Sequence, residues 1–140
     1  TCFQLGVTGS QITQSFSRRI GHIGLSHKQV GLLAVVDAGV ATSQREIATR
    51  LHVAPSLVVT LVDQLTSSGA VRRTRSRSDR RVQTIEITDE GRRLLKAATD
   101  VASRLDADLR TLLSPGDQQT LDRLLHSLLH AATATGQDEV

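Results

Sequence analysis

One cysteine, two prolines, two phenylalanines and no methionine, tryptophan or tyrosine stand in a chain of 140 residues. The lone Cys2 excludes an intramolecular disulfide and any zinc cluster built only of cysteine, which fits a reducing compartment. No apolar run approaches the roughly 20 residues that cross a bilayer, and the first residues lack the layout of a secretory leader. The expectation is a cytoplasmic protein with no membrane partner. Catalytic signatures are missing too. There is no His-Glu-x-x-His, no glycine-rich phosphate loop, no Gly-x-Ser-x-Gly and no cysteine nucleophile pair. Neither an enzyme nor a cofactor is expected.

What the chain does have is arginine in one place. The formal net charge is only +3, yet Arg72, Arg73, Arg75, Arg77, Arg80 and Arg81 share a ten-residue window whose only acid is Asp79. Guanidinium groups pair with phosphate oxygens and displace condensed counterions, so such a window suits a nucleic-acid backbone. A solvated charged loop is the plain alternative.

The elements around that window are helical. Leu5, Ile12, Phe16 and Ile20 form a loose apolar stripe over residues 3 to 22. Ser26-His-Lys-Gln29 has capping-box form and opens a helix with Val30, Leu33 and Ala34 toward the core, ending by Gly39. A second capping box, Ser43-Gln-Arg-Glu46, precedes the short apolar face of Ile47, Ala48 and Leu51. After three intervening residues Pro55 sits in a first turn, and Val58, Leu61, Val62 and Leu65 share one side of a helix ending near Gly69. Two short helices joined by a tight turn make a helix-turn-helix.

Val71 to Thr88 reads as a β-hairpin with a polar turn at Ser76 to Asp79 and with Ile85 and Ile87 on one face. Thr88 then caps a long helix carrying Leu94, Leu95, Ala98, Val101, Ala102, Leu105, Leu109 and Leu112. Ser114-Pro-Gly-Asp117 stops it and opens a last helix with Leu121, Leu124, Leu125, Leu128 and Leu129. These two helices hold more leucine than a small module needs to cover itself, which implies a homodimer.

This order of elements resembles the MarR family of winged-helix transcription regulators over about Leu5 to Leu129. The specific pieces are Ser68-Gly-Ala-Val-Arg-Arg73, Asp79-Arg-Arg81 and Ile87-Thr-Asp-Glu-Gly91, in that order and spacing. The resemblance implies a mainly α fold with a small β-hairpin wing. A winged helix-turn-helix domain would span 26–88, a helical dimerisation region 1–25 and 89–135, and a polar tail 136–140. It also implies a regulator, read as a repressor, of pseudo-palindromic double-stranded DNA, its recognition helices one helical turn apart.

Under that reading Arg81 enters the minor groove and Asp79 orients it, because a short carboxylate two positions away can hold the guanidinium across a tight turn. Arg73, Arg75, Arg77 and Arg80 would touch phosphates. Pro55, Ser56, Leu57, Val59 and Thr60 lie away from the apolar face of the recognition helix, near the end that enters the major groove, and Gln64 is placed to meet backbone. The chain has Ser56-Leu-Val-Val-Thr60 where the family more often has Ser-Thr-Val-Thr-Arg, so apolar contacts with thymine methyls or DNA shape would carry more of the specificity. Ser43, Gln44 and Arg45 are candidate phosphate contacts.

Three sharper sites have residues that bear on them. Family likeness suggests a small aromatic or phenolic effector, with Arg18, Arg19, His22 and His27 able to receive its anionic group. Cys2 resembles the reactive cysteine of the hydroperoxide-sensing branch, but that branch supplies tyrosine hydroxyls and this chain has no tyrosine. His126 and His130 have chelating spacing without a third ligand, so they read as surface histidines and no metal is expected. A winged-helix module for protein assembly, its arginines binding an acidic partner, is the rival from another class.

Overall fold

Capping chemistry decides where the central helices of this chain begin. A computed structural model describes residues 1–75 and 83–131 in full and the backbone of 132–135. The order is α1 (Cys2–Gly21), α2 (His27–Asp37), α3 (Gln44–Leu51), α4 (Pro55–Ser67), β1 (Val71–Arg75), β2 (Gln83–Ile87), α5 (Asp89–Arg110) and α6 (Pro115–Thr135). Both capping boxes close. The Ser26 hydroxyl accepts from the Gln29 amide at 3.2 Å while Gln29 Oε1 accepts from the Ser26 amide at 2.8 Å. The Ser43 hydroxyl accepts from the Glu46 amide at 3.2 Å, and Glu46 Oε2 accepts from the amides of Ser43 at 3.0 Å and Thr42 at 3.1 Å. These amides have no partner within their own helices, which is why the side chains are needed.

The chain divides into two compact units, Thr1–Ala102 and Ser103–Val140. In the first, the core gathers Ile20, Leu32, Leu33, Ile47, Val58, Val62, Leu65, Val71 and Ile85, all nearly or fully buried, with Leu94, Ala98 and Val101 of α5 joining it. The expected stripe of α2 was Val30, Leu33 and Ala34. Instead Leu32, Leu33 and Val36 are buried, Val30 is half-buried and Ala34 is exposed. Helix α2 meets α3, α4 and β2, so its buried arc turns toward the side where leucine and valine remove most apolar area from water. On α1 only Ile20 is buried, and Leu5 and Ile12 of the expected stripe are exposed.

The hairpin is antiparallel, pairing Val71 with Ile87, Arg73 with Ile85 and Arg75 with Gln83. The Thr74 and Thr84 hydroxyls bond across it at 2.8 Å, and the Ile85 amide donates to the Thr42 carbonyl at 2.7 Å, tying β2 to the approach to α3. Its entry is set at the end of α4. There Gly69 has φ +74, the Ala70 amide donates to Leu65 O at 2.8 Å and the Gly69 amide to Thr66 O at 3.0 Å. This is a Schellman turn, whose left-handed residue favours glycine.

Thr88 closes the hairpin against that turn. Its amide donates to Ala70 O at 3.0 Å, its hydroxyl donates to Gly69 O at 2.6 Å, and the same hydroxyl accepts from the Gly91 amide at 3.1 Å, capping α5. Gly91 is required by this approach, since a Cβ there would lie 2.0 Å from Ala70 O and 2.7 Å from Ile87 Cγ1.

Within the second unit, Arg110 bonds both Asp106 at 2.7 Å and Asp122 at 2.8 Å. Those two carboxylates raise the guanidinium pKa, and Arg110 in turn lowers that of Asp122. Gln118 Nε2 donates to the carbonyls of Arg110 at 2.9 Å and Leu113 at 3.2 Å, satisfying the exposed end of α5. Leu112, expected on the stripe of α5, therefore falls in the turn and is exposed, as is Ala102. Among the described residues no helix is long and apolar enough to cross a membrane.

Two stability outcomes follow from these contacts. Gly91→Ala should destabilise the chain by about 1–3 kcal/mol, because backbone rather than a flexible side chain must move. The matching Gly116→Ala, where a Cβ meets nothing within 4 Å, should leave the urea midpoint nearly unchanged. The amides of Ser43 and Thr42 hold Glu46 below its ordinary pKa of 4.5. A depressed carboxylate adds stability that is present above its unfolded pKa and is lost as pH falls through the folded value. Glu46→Gln keeps the cap without the charge, so its melting temperature should lie below wild type at pH 7, with the gap closing on acidification below about pH 4.5.

Candidate nucleic-acid interface

Helix α4 is amphipathic around its whole circumference, and each side has a different task. Val58, Leu61, Val62 and Leu65 face the core, leaving Ser56, Val59, Thr60, Asp63 and Gln64 exposed. Leu57, expected on the outward side, is half-buried and packs against the core. At 100° per residue it borders the Leu61 edge of the apolar arc, and its large side chain folds onto that edge. Val59 stays 41% exposed, an apolar group offered to solvent between polar neighbours. The N-cap, Ala54, supplies no side-chain bond to the first turn behind Pro55.

Both flanks of α4 are clasped. On one, Gln29 Nε2 of α2 donates to Gln64 Oε1 at 3.0 Å. On the other, the Arg73 guanidinium of β1 forms an ion pair with Asp63. The turn that presents the helix is tight. His52 takes a left-handed conformation, φ 52 and ψ 47, and the Val53 amide returns to Ala48 O at 3.1 Å. Asparagine or glycine is the commoner residue in such a position.

At the start of α3 the Ser43 amide and hydroxyl are both taken by the capping box with Glu46. Of the expected phosphate group, Arg45 is exposed and Gln44 half-exposed. Arg50, not among the expected residues, adds an exposed guanidinium in the last turn of the same helix.

The arginines of β1 have separate fates. Arg72 pairs with Glu86 directly across the hairpin at 2.8 Å, and Arg73 is turned to Asp63. Arg75 is exposed, with no ion-pair partner among the described residues. Arg77, Asp79, Arg80 and Arg81 lie outside the described residues. A cleft of about 450 Å³ includes Asp37, Arg72, Glu86 and Arg92 in its lining. There Arg92 meets Asp37 at 3.3 Å, so both guanidinium groups are answered by carboxylates.

The remaining candidates are dispersed. Arg18, Arg19, His22 and His27 are exposed, and the His27 ring meets Phe16 edge-on at 6.5 Å. Cys2 is exposed. The rings of His126 and His130 lie 4.2 Å apart on α6, and among the described residues no group of three metal-ligating side chains converges.

Sequence reasoning missed Gln29, Asp63 and Glu86 as partners of interface residues. Glu86 was findable from the hairpin register, and Asp63 was visible as an acid in a helix expected to approach phosphates. Gln29 and Gln64 are 35 residues apart and only the packing of α2 on α4 joins them.

Residues 23–82 match the family model described as the MarR family. The chain is 31% identical over 93 residues to the HTH-type transcriptional regulator TtmR of Methylorubrum extorquens, covering 66% of this chain and 48% of TtmR. It thus spans about half the length of that relative. It is 30% identical over 112 residues to a transcriptional regulatory protein for the hcr operon of Thauera aromatica, covering 80% of this chain and 68% of that one. Among solved structures, the transcriptional repressor CouR bound to a 23-mer DNA duplex superposes with a TM-score of 0.78 at 29% identity, covering 91% of this chain and 90% of that one. CouR from Rhodococcus jostii RHA1 bound to p-coumaroyl-CoA gives a TM-score of 0.75 at 27% identity, covering 90% and 89%. With the paired strands, the clasped helix and the glycine junction in place, the chain belongs to the MarR family of winged helix-turn-helix transcription regulators.

Proposed function

We propose that the protein is a homodimeric, sequence-specific DNA-binding transcription repressor acting on pseudo-palindromic operators. The observation that carries this reading is helix α4, held on both flanks with Ser56, Val59 and Thr60 left outward beside the arginine-bearing strand. In a major groove, Ser56 and Thr60 would hydrogen-bond base edges or phosphates, and Pro55 and Val59 would contact thymine methyls. Leu57 supports the helix edge. Gln44, Arg45 and Arg75 would meet phosphates, and Arg77, Arg80 and Arg81 extend that charge by sequence, with Asp79 orienting Arg81. Arg73 answers the carboxylate of Asp63, which would otherwise repel DNA. Residues 26–88 are thus the DNA-binding domain.

Dimerisation is supported separately in each unit. On α1, Phe3 is 83% exposed and Leu5, Val7 and Ile12 are exposed with it; on α6, Leu121, Leu124, Leu125, Leu128 and Leu129 are all exposed. Burying a leucine side chain is worth about 1.5–3 kcal/mol, so the α6 row alone can offset much of the cost of association. The partner we assign to these faces, 1–25 and 89–135, is a second copy of the chain.

The effector reading rests on the likeness to CouR, solved with p-coumaroyl-CoA. An aromatic or phenolic anion would be received by Arg18, Arg19, His22 or His27, and its differential affinity for one dimer geometry would release DNA.

Fluorescence anisotropy with the duplex upstream of the gene and a shuffled duplex is the direct test. A specificity ratio of roughly 1,000 or more and a steep salt slope are expected, whereas equal weak binding to both would favour assembly on an acidic protein partner. Arg75→Ala should weaken both duplexes alike and reduce the salt slope by about 1. Adding p-coumaroyl-CoA should raise the operator Kd, and an unchanged Kd removes this effector from the reading. In light scattering, wild type should have twice the chain mass and the double variant Leu124→Glu, Leu128→Glu should be monomeric; a dimer that persists places the interface elsewhere.

A further inference from the structure

We propose that Gln29 is a positioning residue that fixes the amide of Gln64 with its NH2 group free, making Gln64 a hydrogen-bond donor to a DNA phosphate. The polarity follows from a chain of three groups. The Ser26 amide can only donate, so the Gln29 atom facing it at 2.8 Å is the oxygen Oε1. The other end of Gln29 is then NH2, which can only donate, so the Gln64 atom facing it at 3.0 Å is again the oxygen. Gln64 is exposed, and its Nε2 has no partner among the described residues. Two N–H donors are thus left at the flank of α4, and phosphate oxygens only accept.

The capping box of α2 therefore does more than begin a helix. Either Gln or Glu at its third position would satisfy the Ser26 amide, but only Gln retains a donor for α4. The second box shows the contrast, because Glu46 directs one oxygen to two amides and has no donor to pass on. A glutamate at 29 would draw Gln64 Nε2 toward itself and turn the Gln64 carbonyl oxygen outward against phosphate. The cap of one helix thereby sets the hydrogen-bonding sign of a residue on the next.

This inference rests on the DNA-binding reading above, and a double-mutant cycle separates the two. Anisotropy with a labelled mixed-sequence duplex at low salt would compare wild type, Gln64→Ala, Gln29→Glu and the double variant, with thermal melts as the folding control. Gln64→Ala should weaken binding about tenfold, the scale of a hydrogen bond to a charged group. Gln29→Glu should lose at least as much, and most of that loss should vanish in the Gln64→Ala background. The same fold-loss in both backgrounds would mean a charge effect only and overturns the positioning role. Wild-type binding by Gln64→Ala overturns the phosphate contact. If Gln29→Glu does not fold, Gln64→Glu takes its place: it still accepts from Gln29 but offers no donor, so it should bind more weakly than Gln64→Ala, and wild-type affinity there overturns the proposal. A wild-type protein that binds no duplex overturns the DNA-binding reading itself, and the phosphate contact with it.

Discussion

The carbonyl of Ala70 is where the end of α4, the hairpin and the start of α5 are locked together. It accepts the Thr88 amide, and it stands so close to Gly91 that no side chain fits between them. The Schellman turn before it directs the chain out of α4 into β1, and the Thr88 hydroxyl, bonded to Gly69 O and to the Gly91 amide, directs the chain from β2 into α5. With both ends of the hairpin anchored at one peptide, its strands have little freedom to shift against α4. The Arg73 guanidinium reaches Asp63 within that constraint.

Charge is arranged by the same geometry. Six arginines in a short window look equivalent in the sequence, yet a strand sends successive side chains to opposite faces. Arg72 turns to the face shared with Glu86 and is neutralised there, Arg73 turns to α4 and neutralises Asp63, and Arg75 is exposed with no ion-pair partner among the described residues. The strand therefore serves as a brace for α4 as well as a source of positive charge. Across the helix the brace is a neutral amide pair, Gln29 with Gln64. Clasping a helix on two flanks restrains its rotation and so fixes which side chains it presents outward.

Much of the local structure was legible because its causes are local. Ser26 with Gln29 and Ser43 with Glu46 are reciprocal bonds within four residues, Pro55 has a fixed φ suited to a first turn, and Thr88 caps the helix that follows it. Periodicity placed Val58, Leu61, Val62 and Leu65 of α4 on the buried face correctly but left out Leu57, whose large side chain folds onto the edge of that arc. It misjudged α2, where apolar residues occur all around and the neighbours select the face. It also ran α5 through to Leu112, since an apolar repeat does not register that Gln118 has taken the carbonyls of Arg110 and Leu113.

What the sequence by itself determined is the order of elements, their caps, the position of the arginine strand and, through Ser68-Gly-Ala-Val-Arg-Arg73 and Thr88-Asp-Glu-Gly91, the family. These are short-range properties, in which a residue type and its near neighbours suffice to set a dihedral angle or a hydrogen bond. Only the tertiary structure decided that Arg73 answers Asp63, that Leu57 turns in to the core, that Gly91 is forced by Ala70 and that Gln29 takes hold of Gln64. Each of those joins groups from different elements, and their meeting depends on how helices and hairpin pack in three dimensions, which no spacing along the chain encodes.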